Sequence, residues 1–442
     1  MLIKAWSSLV VAVASLSVAS ALRPAPHIPA PPISHLNKGH HHYPQRPPHK
    51  DNHAKTCTLT PKGNGADDAP NILAAAHKCN NGGKVVLPAG KNFTIGSPLD
   101  LTFLKNVDLV FSGRITFTND TNYWANNSYY LTYQNASTFW LIGGENTNIY
   151  GGGVIDGNGQ PWYDQYVNYP LILRPILFVI YGARGGSAKD ISLINSPQWF
   201  NFIANSSDFV YDGLHIAGKS VSSNVAKNTD GWDIYRSDGI TITNSVIYNG
   251  DDCVSFKPNS TNIYVSNLYC NGSHGISVGS LGQYPDEYDI VENVYSYNIS
   301  MNYASDGARV KVWPGNAAAL STDLQGGGGA GYVKNITFDT FNLNSVDYAI
   351  ELTQCYGQNN ATLCVQAPSK MNLTDIKFNN FYGTTSGVRK NVVATIVCSV
   401  ESMCSDIEAS NINVTSPTKY GDSKYICTRV DTSDLHIPCT PS

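Results

Sequence analysis

Three segments of this chain, "NTDGWDIY" from Asn228, "GDDCVSFK" from Gly250 and "GSHGISVG" from Gly272, start 22 residues apart. Written over one another, they place Trp232, Val254 and Ile276 in one apolar column and Ile234, Phe256 and Val278 in the next. Successive residues of a strand face opposite sides. Apolar columns that recur in the same direction at a fixed offset therefore require parallel strands stacked rung on rung, about 4.8 Å apart. An antiparallel sandwich makes no such demand. The chain is expected to be all-β, a right-handed parallel β-helix.

The rest of the chain fits that architecture. From Thr56 onward, short β-branched and aromatic runs such as "KNVDLVFSG", "SDGITITNSVIYNG" and "VKNITFDTFNLN" are punctuated by Asn, Gly, Ser and Asp. One helix is expected, in "DDAPNILAAAHKC", with Asp67 or Asp68 as its cap and Pro70 in its first turn. It would cover the open end of the core, where bare strand edges invite association. Residues 56–442 read as a single β-helix domain.

The first residues, "MLIKAWSSLVVAVASLSVASALRP", combine Lys4, an apolar run and Ala19-Ser20-Ala21, the pattern of a secretory signal peptide over residues 1–21. The apolar run is short for a bilayer span of about 20 residues. Residues 22–55 are rich in Pro and His, without core-forming periodicity, and read as a disordered leader or linker. Ten cysteines, an even number, suit an oxidising compartment. Near neighbours suggest Cys253 with Cys270, Cys398 with Cys404 and Cys427 with Cys439. Their wide spacing, without CxxC, argues against zinc, and no metal or organic cofactor is implied. Glycosylation sequons occur at Asn92, Asn119, Asn126, Asn135, Asn205, Asn259, Asn271, Asn298, Asn335, Asn360, Asn372 and Asn413. A net charge of -4 and a pI near 6.2 leave no basic stripe for nucleic acid. A secreted, extracellular monomer that binds neither nucleic acid nor membrane is expected.

The same register stacks Asp230, Asp252 and His274 in one column, with Asp251 one position earlier beside Thr229 and Ser273. A purely structural polar ladder would use Asn or Ser, because stacked carboxylates repel and force a proton onto at least one of them. Strict alternation would also turn Asp252 inward with Val254 and Phe256. The Asn-Gly before both "DDC" and "SHG" suggests that a turn precedes each strand, so that Asp251 and Asp252 both emerge outside. In "ARVKVW", Val310 and Val312 should point inward while Arg309, Lys311 and Trp313 point outward; aligning Val310 with Ile276 gives a 34-residue step and an enlarged connection between them. Ser255, Gly275, Ser277 and Gly279 would form a floor for a sugar ring. Arg309 and Lys311 would clamp a carboxylate.

"NTDG", "GDDC", "GSHGIS" and "RVK", in that order, resemble the signatures of the polygalacturonases of glycoside hydrolase family 28; "GGGVIDGNGQPWYD" and "NSPQWF" add to the likeness, which runs over about residues 56–440. Val310 stands where that family commonly has Ile, at an inward position that leaves Arg309 and Lys311 unaffected. The resemblance implies hydrolysis of α-1,4 bonds in polygalacturonate with inversion. By motif, Asp251 would be the general acid, Asp230 and Asp252 would activate water, and His274 would support the acid. Arg309, Lys311 and Tyr356 of "QCYG" would bind substrate, and Asn228 would orient its neighbours. "NGSHGISVGSLGQYPDEYDIVENV" with "ARVKVWPG" is similar to the exo-acting branch, in which added loops close one end of the groove; the long connection before Arg309 is the expected wall. The alternatives are an endopolygalacturonase, a rhamnogalacturonan or xylogalacturonan hydrolase, a calcium-dependent pectate lyase on the same fold, and a non-catalytic carbohydrate-binding β-helix.

Overall fold

The computed structural model describes residues 55–315, 326–358 and 360–440. The proposed signal peptide and nearly all of the leader lie outside them. The described residues form parallel sheets of 18 and 12 strands and a small mixed sheet of three. The site lies on the 12-stranded sheet, on strands β1 (Trp232–Tyr235), β2 (Val254–Phe256), β3 (Ile276–Leu281), β4 (Asp306–Val312) and β5 (Tyr348–Thr353).

The two apolar columns are present as such. Trp232 pairs with Val254 and Val254 with Ile276, while Ile234 pairs with Phe256 and Phe256 with Val278, all parallel. These side chains are wholly buried in one continuous core. Farther along, Phe338 stacks on Phe378 at 5.3 Å and Phe341 on Phe381 at 4.6 Å, rung upon rung. Each such pair contributes about 0.5–1.5 kcal/mol beyond its burial.

The other sheet turns its corners with asparagine. Asn262, Asn267, Asn293, Asn298 and Asn335 sit within strands at left-handed φ, from 55° at Asn262 to 59° at Asn293, a conformation Asn tolerates better than most residues. Their amides run up the stack: Asn298 donates to Asn267 at 2.7 Å and Asn335 to Asn293 at 2.7 Å. The asparagines that punctuate the sequence thus bend the strands and bond the bends together.

One register differs from expectation. Val310 pairs with Val278, and Ala308 occupies the place opposite Ile276. The step is therefore 32 residues, not 34, because the small Ala308 fills an inward position that a search for large apolar side chains passes over. Val310 and Val312 do face the core. The connection before β4 is a 15-residue strand, Tyr288–Asn302, laid on the 12-residue strand Ser260–Asn271.

Helix α1 spans Ala69–Lys78, with Ile72 and Ala76 buried in the core next to the first strands. Of the two candidate caps, Asp67 accepts the Ala69 N–H at 3.0 Å, whereas Asp68 accepts from Lys62 and Thr94 and ties the helix entry to neighbouring chain. Three further short helices, Thr121–Asn127, Gln160–Tyr166 and Ala361–Gln366, were not expected. They sit in connections too short to show helical periodicity. Disulfides join Cys57–Cys79, Cys253–Cys270, Cys355–Cys364, Cys398–Cys404 and Cys427–Cys439. Among the described residues no helix is long and apolar enough to cross a membrane.

Candidate active site

The chain from Asn249 to Cys253 departs from strand parity, and Asn249 is the reason. Its Nδ2 donates to the carbonyl oxygens of Thr229, Asp251 and Asp252, each at 2.9 Å, and its Oδ1 accepts from Ser273 Oγ at 2.5 Å. That one buried amide holds three carbonyls from two rungs. Regular strand begins only at Val254. Cys253 points into the core, bonded to Cys270, and both aspartates are left on the outer side. On the next rung Gly275, at φ 110°, lies so close to β4 that a Cβ would sit 3.0 Å from the Asp306 carbonyl oxygen, which keeps a side chain out of the position after His274.

The outer face holds a dense set of charges. Asp251 accepts from His274 through Oδ1, 3.0 Å from Nδ1, and from Asn228 through Oδ2, 3.4 Å from Nδ2. Asp252, with a side chain only 1% exposed, bonds Lys311 Nζ at 2.6 Å and Ser277 Oγ at 2.7 Å. Its burial is therefore polar, beside His274 and Asp251. Acceptor or donor atoms of Asp251, Asp252 and His274 lie within 4.8 Å of one another. Such a cluster could hold a divalent cation, but both oxygens of Asp252 are engaged and the Lys311 ammonium already supplies the positive charge, so the donor set does not fit one.

These surroundings divide the acids. Burial works against ionised Asp252, yet Lys311, Lys257 and Arg309 outweigh it and hold the carboxyl well below the usual range. Asp230 goes the other way: burial, then the negative charges of Asp233 and Asp251, raise its proton affinity strongly. His274 is raised first by its hydrogen bond to Asp251, against the opposing effect of burial. Asp252 is thus favoured as an anion, Asp230 is biased toward its protonated form, and Asp251 shares a hydrogen bond with an imidazole of raised proton affinity.

Arg309 and Lys311, expected to clamp a substrate carboxylate, are each engaged by carboxylates of the protein itself. Arg309 contacts Glu351 at 2.5 Å and Asp306 at 3.6 Å, while Lys311 belongs to Asp252. The small residues are no open floor either. Ser255 and Ser277 are wholly buried, with Ser255 donating to the Gly279 carbonyl and Ser277 to Asp252. Their small size makes room for Asp252, Lys257 and Lys311 to lie across the sheet. Tyr356 does reach the site, its ring 5.8 Å from the Arg309 guanidinium and 5.9 Å from Lys311 Nζ.

Other residues went unnoticed in the sequence. Lys257 pairs with Asp233 at 3.0 Å, both buried on the outer face of β1 and β2. "GWDIY" and "VSFK" placed both side chains outward, and only their burial marks them as special. Asp306 is buried beside Arg309. Burial raises Asp233 and Asp306 each to about 7 from an ordinary 3.8. Stability from such groups is complete below pH 3.8 and is lost as pH rises through their folded value. The melting temperature should therefore fall by several degrees between pH 4.5 and 8, each kcal/mol being worth about 2 °C in a domain of this size. Calorimetry at three pH values checks this; a rise over that interval contradicts it. Asp252, of opposite sign, acts only below that window.

Beside Asp251 and His274 opens a cavity of about 650 Å³, lined also by Asn228, Lys219, Lys227 and Ser222. On the rung before Asp230 and at the Tyr235 end of its own rung the outer face is covered instead. Strands Tyr129–Leu131 and Ala136–Thr138 form an antiparallel hairpin that pairs with Pro175–Ile176. Tyr133 from its tip stacks on Tyr235 at 4.0 Å and packs with Trp199 and Phe202. Gln134 reaches Gln283 across the groove at 3.4 Å.

The profile of the glycosyl hydrolases family 28 matches residues 79–436. The chain belongs to that family. Within family 28 it is 60% identical over 398 residues to a probable exopolygalacturonase X of Neosartorya fischeri, covering 90% of this chain and 92% of that one. It is 58% identical over 401 residues to exopolygalacturonase X-1 of Emericella nidulans, with coverage of 90% and 92%. The crystal structure of the endo-xylogalacturonan hydrolase from Aspergillus tubingensis superposes with a TM-score of 0.80 at 33% identity, covering 88% of this chain and 99% of the other. As a family 28 member the protein is a glycoside hydrolase.

Proposed function

We propose that this glycoside hydrolase removes single galacturonic acid units from the end of polygalacturonate: Asp251, entering the reaction in its protonated form, delivers that proton to the leaving oxygen, the ionised Asp252 takes a proton from the attacking water, and Asp230 helps to orient and activate that water. The observation that carries the exo assignment is the hairpin Tyr129–Thr138. It covers the outer face on the rung before Asp230 and at the Tyr235 end of its own rung, while the cavity at Asp251 is lined by Lys219 and Lys227. A chain end fits that half-closed groove and an internal segment does not; the two lysines suit a polyanionic leaving chain. The wall is the hairpin, with Gln283 as the contribution of the connection before β4.

Asp251 faces the cavity with 18% of its side chain exposed, and its hydrogen bond to His274 raises the proton affinity of that imidazole. Asp252 has the fixed negative charge a base requires. Burial, then the neighbouring acids, raise the proton affinity of Asp230, which leaves Asp252 as the stronger candidate for the ionised base. Inverting glycosidases commonly place their carboxyls about 6.5–9.5 Å apart. The atoms of Asp251 and Asp252 come within 4.8 Å, so inversion is assigned here from the family likeness and not from spacing.

The same reading has the protein acting outside the cell as a monomer, after loss of residues 1–21 and carrying glycans at some of its sequons. Five disulfides support an oxidising environment. Product analysis on polygalacturonate tests the function: galacturonic acid should appear alone from the first minutes while viscosity falls slowly. Mixed oligomers with a steep early viscosity loss contradict exo action. An unsaturated product points to a lyase, and anomer-resolved NMR showing retention contradicts the mechanism.

A further inference from the structure

Arg174 belongs to none of the signature motifs, yet it lies one residue from the site. Only 3% exposed, it falls between helix Gln160–Tyr166 and strand Pro175–Ile176. Its guanidinium lies over the Tyr166 ring at 3.8 Å. Nη1 donates to the carbonyl oxygens of Pro197 at 3.0 Å and Lys227 at 2.7 Å, and Nη2 donates to Asn228 Oδ1 at 2.7 Å. All three acceptors are neutral oxygens. A buried guanidinium without a directly paired carboxylate is costly, and burial lowers the proton affinity of this one.

The consequence falls on Asn228. A guanidinium can only donate, so the amide must turn Oδ1 toward Arg174. Nδ2 is thereby directed at Asp251 Oδ2, 3.4 Å away. The Asn228 backbone is held as well: it sits at φ 57°, immediately after the Lys227 carbonyl that Arg174 also binds. Without Arg174 the amide could rotate and present its carbonyl to Asp251, replacing a donor by an acceptor.

We propose that Arg174 is a positioning residue for glycosidic cleavage, fixing the Asn228 amide so that its N–H faces the acid and Asp251 is held between Asn228 on one oxygen and His274 on the other. This rests on the hydrolytic function above. The strand that follows Arg174, Pro175–Ile176, pairs with Ser137–Thr138 of the groove-closing hairpin, so one segment both walls the groove and sets the acid.

The test is a double-mutant cycle of Arg174→Met and Asn228→Ala on polygalacturonate, with kcat taken per folded molecule after circular dichroism and melting. Arg174→Met should lower kcat by about 10–100-fold, the scale of a small misplacement of a reacting group, with KM within about threefold. In the Asn228→Ala background the same change should cost less than about threefold. Effects that multiply fully overturn the proposal, as does a loss confined to KM. Arg174→Lys guards against a variant that does not fold: it keeps the charge but not the planar fork, and should fold like the parent while losing about tenfold in kcat. Full activity in Arg174→Lys overturns the proposal. A parent enzyme inactive on polygalacturonate would instead defeat the functional reading beneath it.

Discussion

Replacing Asp251 by Asn lowers kcat on polygalacturonate by about 10³-fold or more, within the range of a positioned proton donor, and leaves KM within about threefold. The amide keeps the size of the carboxyl and can still meet Asn228 and His274, at 3.4 and 3.0 Å in the parent. It cannot give up a proton to a leaving oxygen. Because the site is already assembled by Asn249 and the Cys253–Cys270 disulfide, the fold should be unaffected. Steady-state kinetics with substrate-binding calorimetry separates the two effects. Loss of binding with kcat preserved would make Asp251 a binding residue, and unchanged turnover would show that Asp251 is not the proton donor.

Replacing Lys311 by Met should damage both stability and turnover. Its ammonium lies 2.6 Å from Asp252, with side chains 8% and 1% exposed. Removing one partner of a buried pair costs about 3–5 kcal/mol, because the other is left as an uncompensated buried charge. Asp252 escapes that cost by taking up a proton, and its depressed proton affinity should then rise above the ordinary carboxylate value. The acid limb of the rate profile would move to higher pH, and activity at mildly acid pH would fall about 100-fold or more. Chemical denaturation and a pH–rate profile check the two halves. Parent-like stability with an unshifted acid limb would show that Lys311 serves substrate and not Asp252.

Much of this site was legible in one dimension. The 22-residue register put Asp230, Asp252 and His274 in one column because side chains alternate along a strand and coils stack at a fixed offset, both of which are local rules. The register failed at β4, where Ala308 takes an inward place opposite Ile276. Small apolar residues carry little periodic signal. The parity problem at Asp251 and Asp252 pointed correctly to a turn, but not to Asn249, whose amide bonds two rungs at once.

What remained hidden depends on contacts between distant parts of the chain. Arg174 meets Asn228 across 54 residues, and Gln134 meets Gln283 across 149; no spacing rule connects them. The sequence therefore determined that the chain winds into a parallel β-helix and which rungs bear its acids. Only the tertiary structure decided which acid is ionised and where the groove ends. Asp252 is an anion because Lys311, 59 residues later, folds over it, and Asp230 keeps its proton because neighbouring rungs bury it among negative charges. Desolvation and Coulomb energy depend on distance in space, and the order of residues along a chain does not contain that distance.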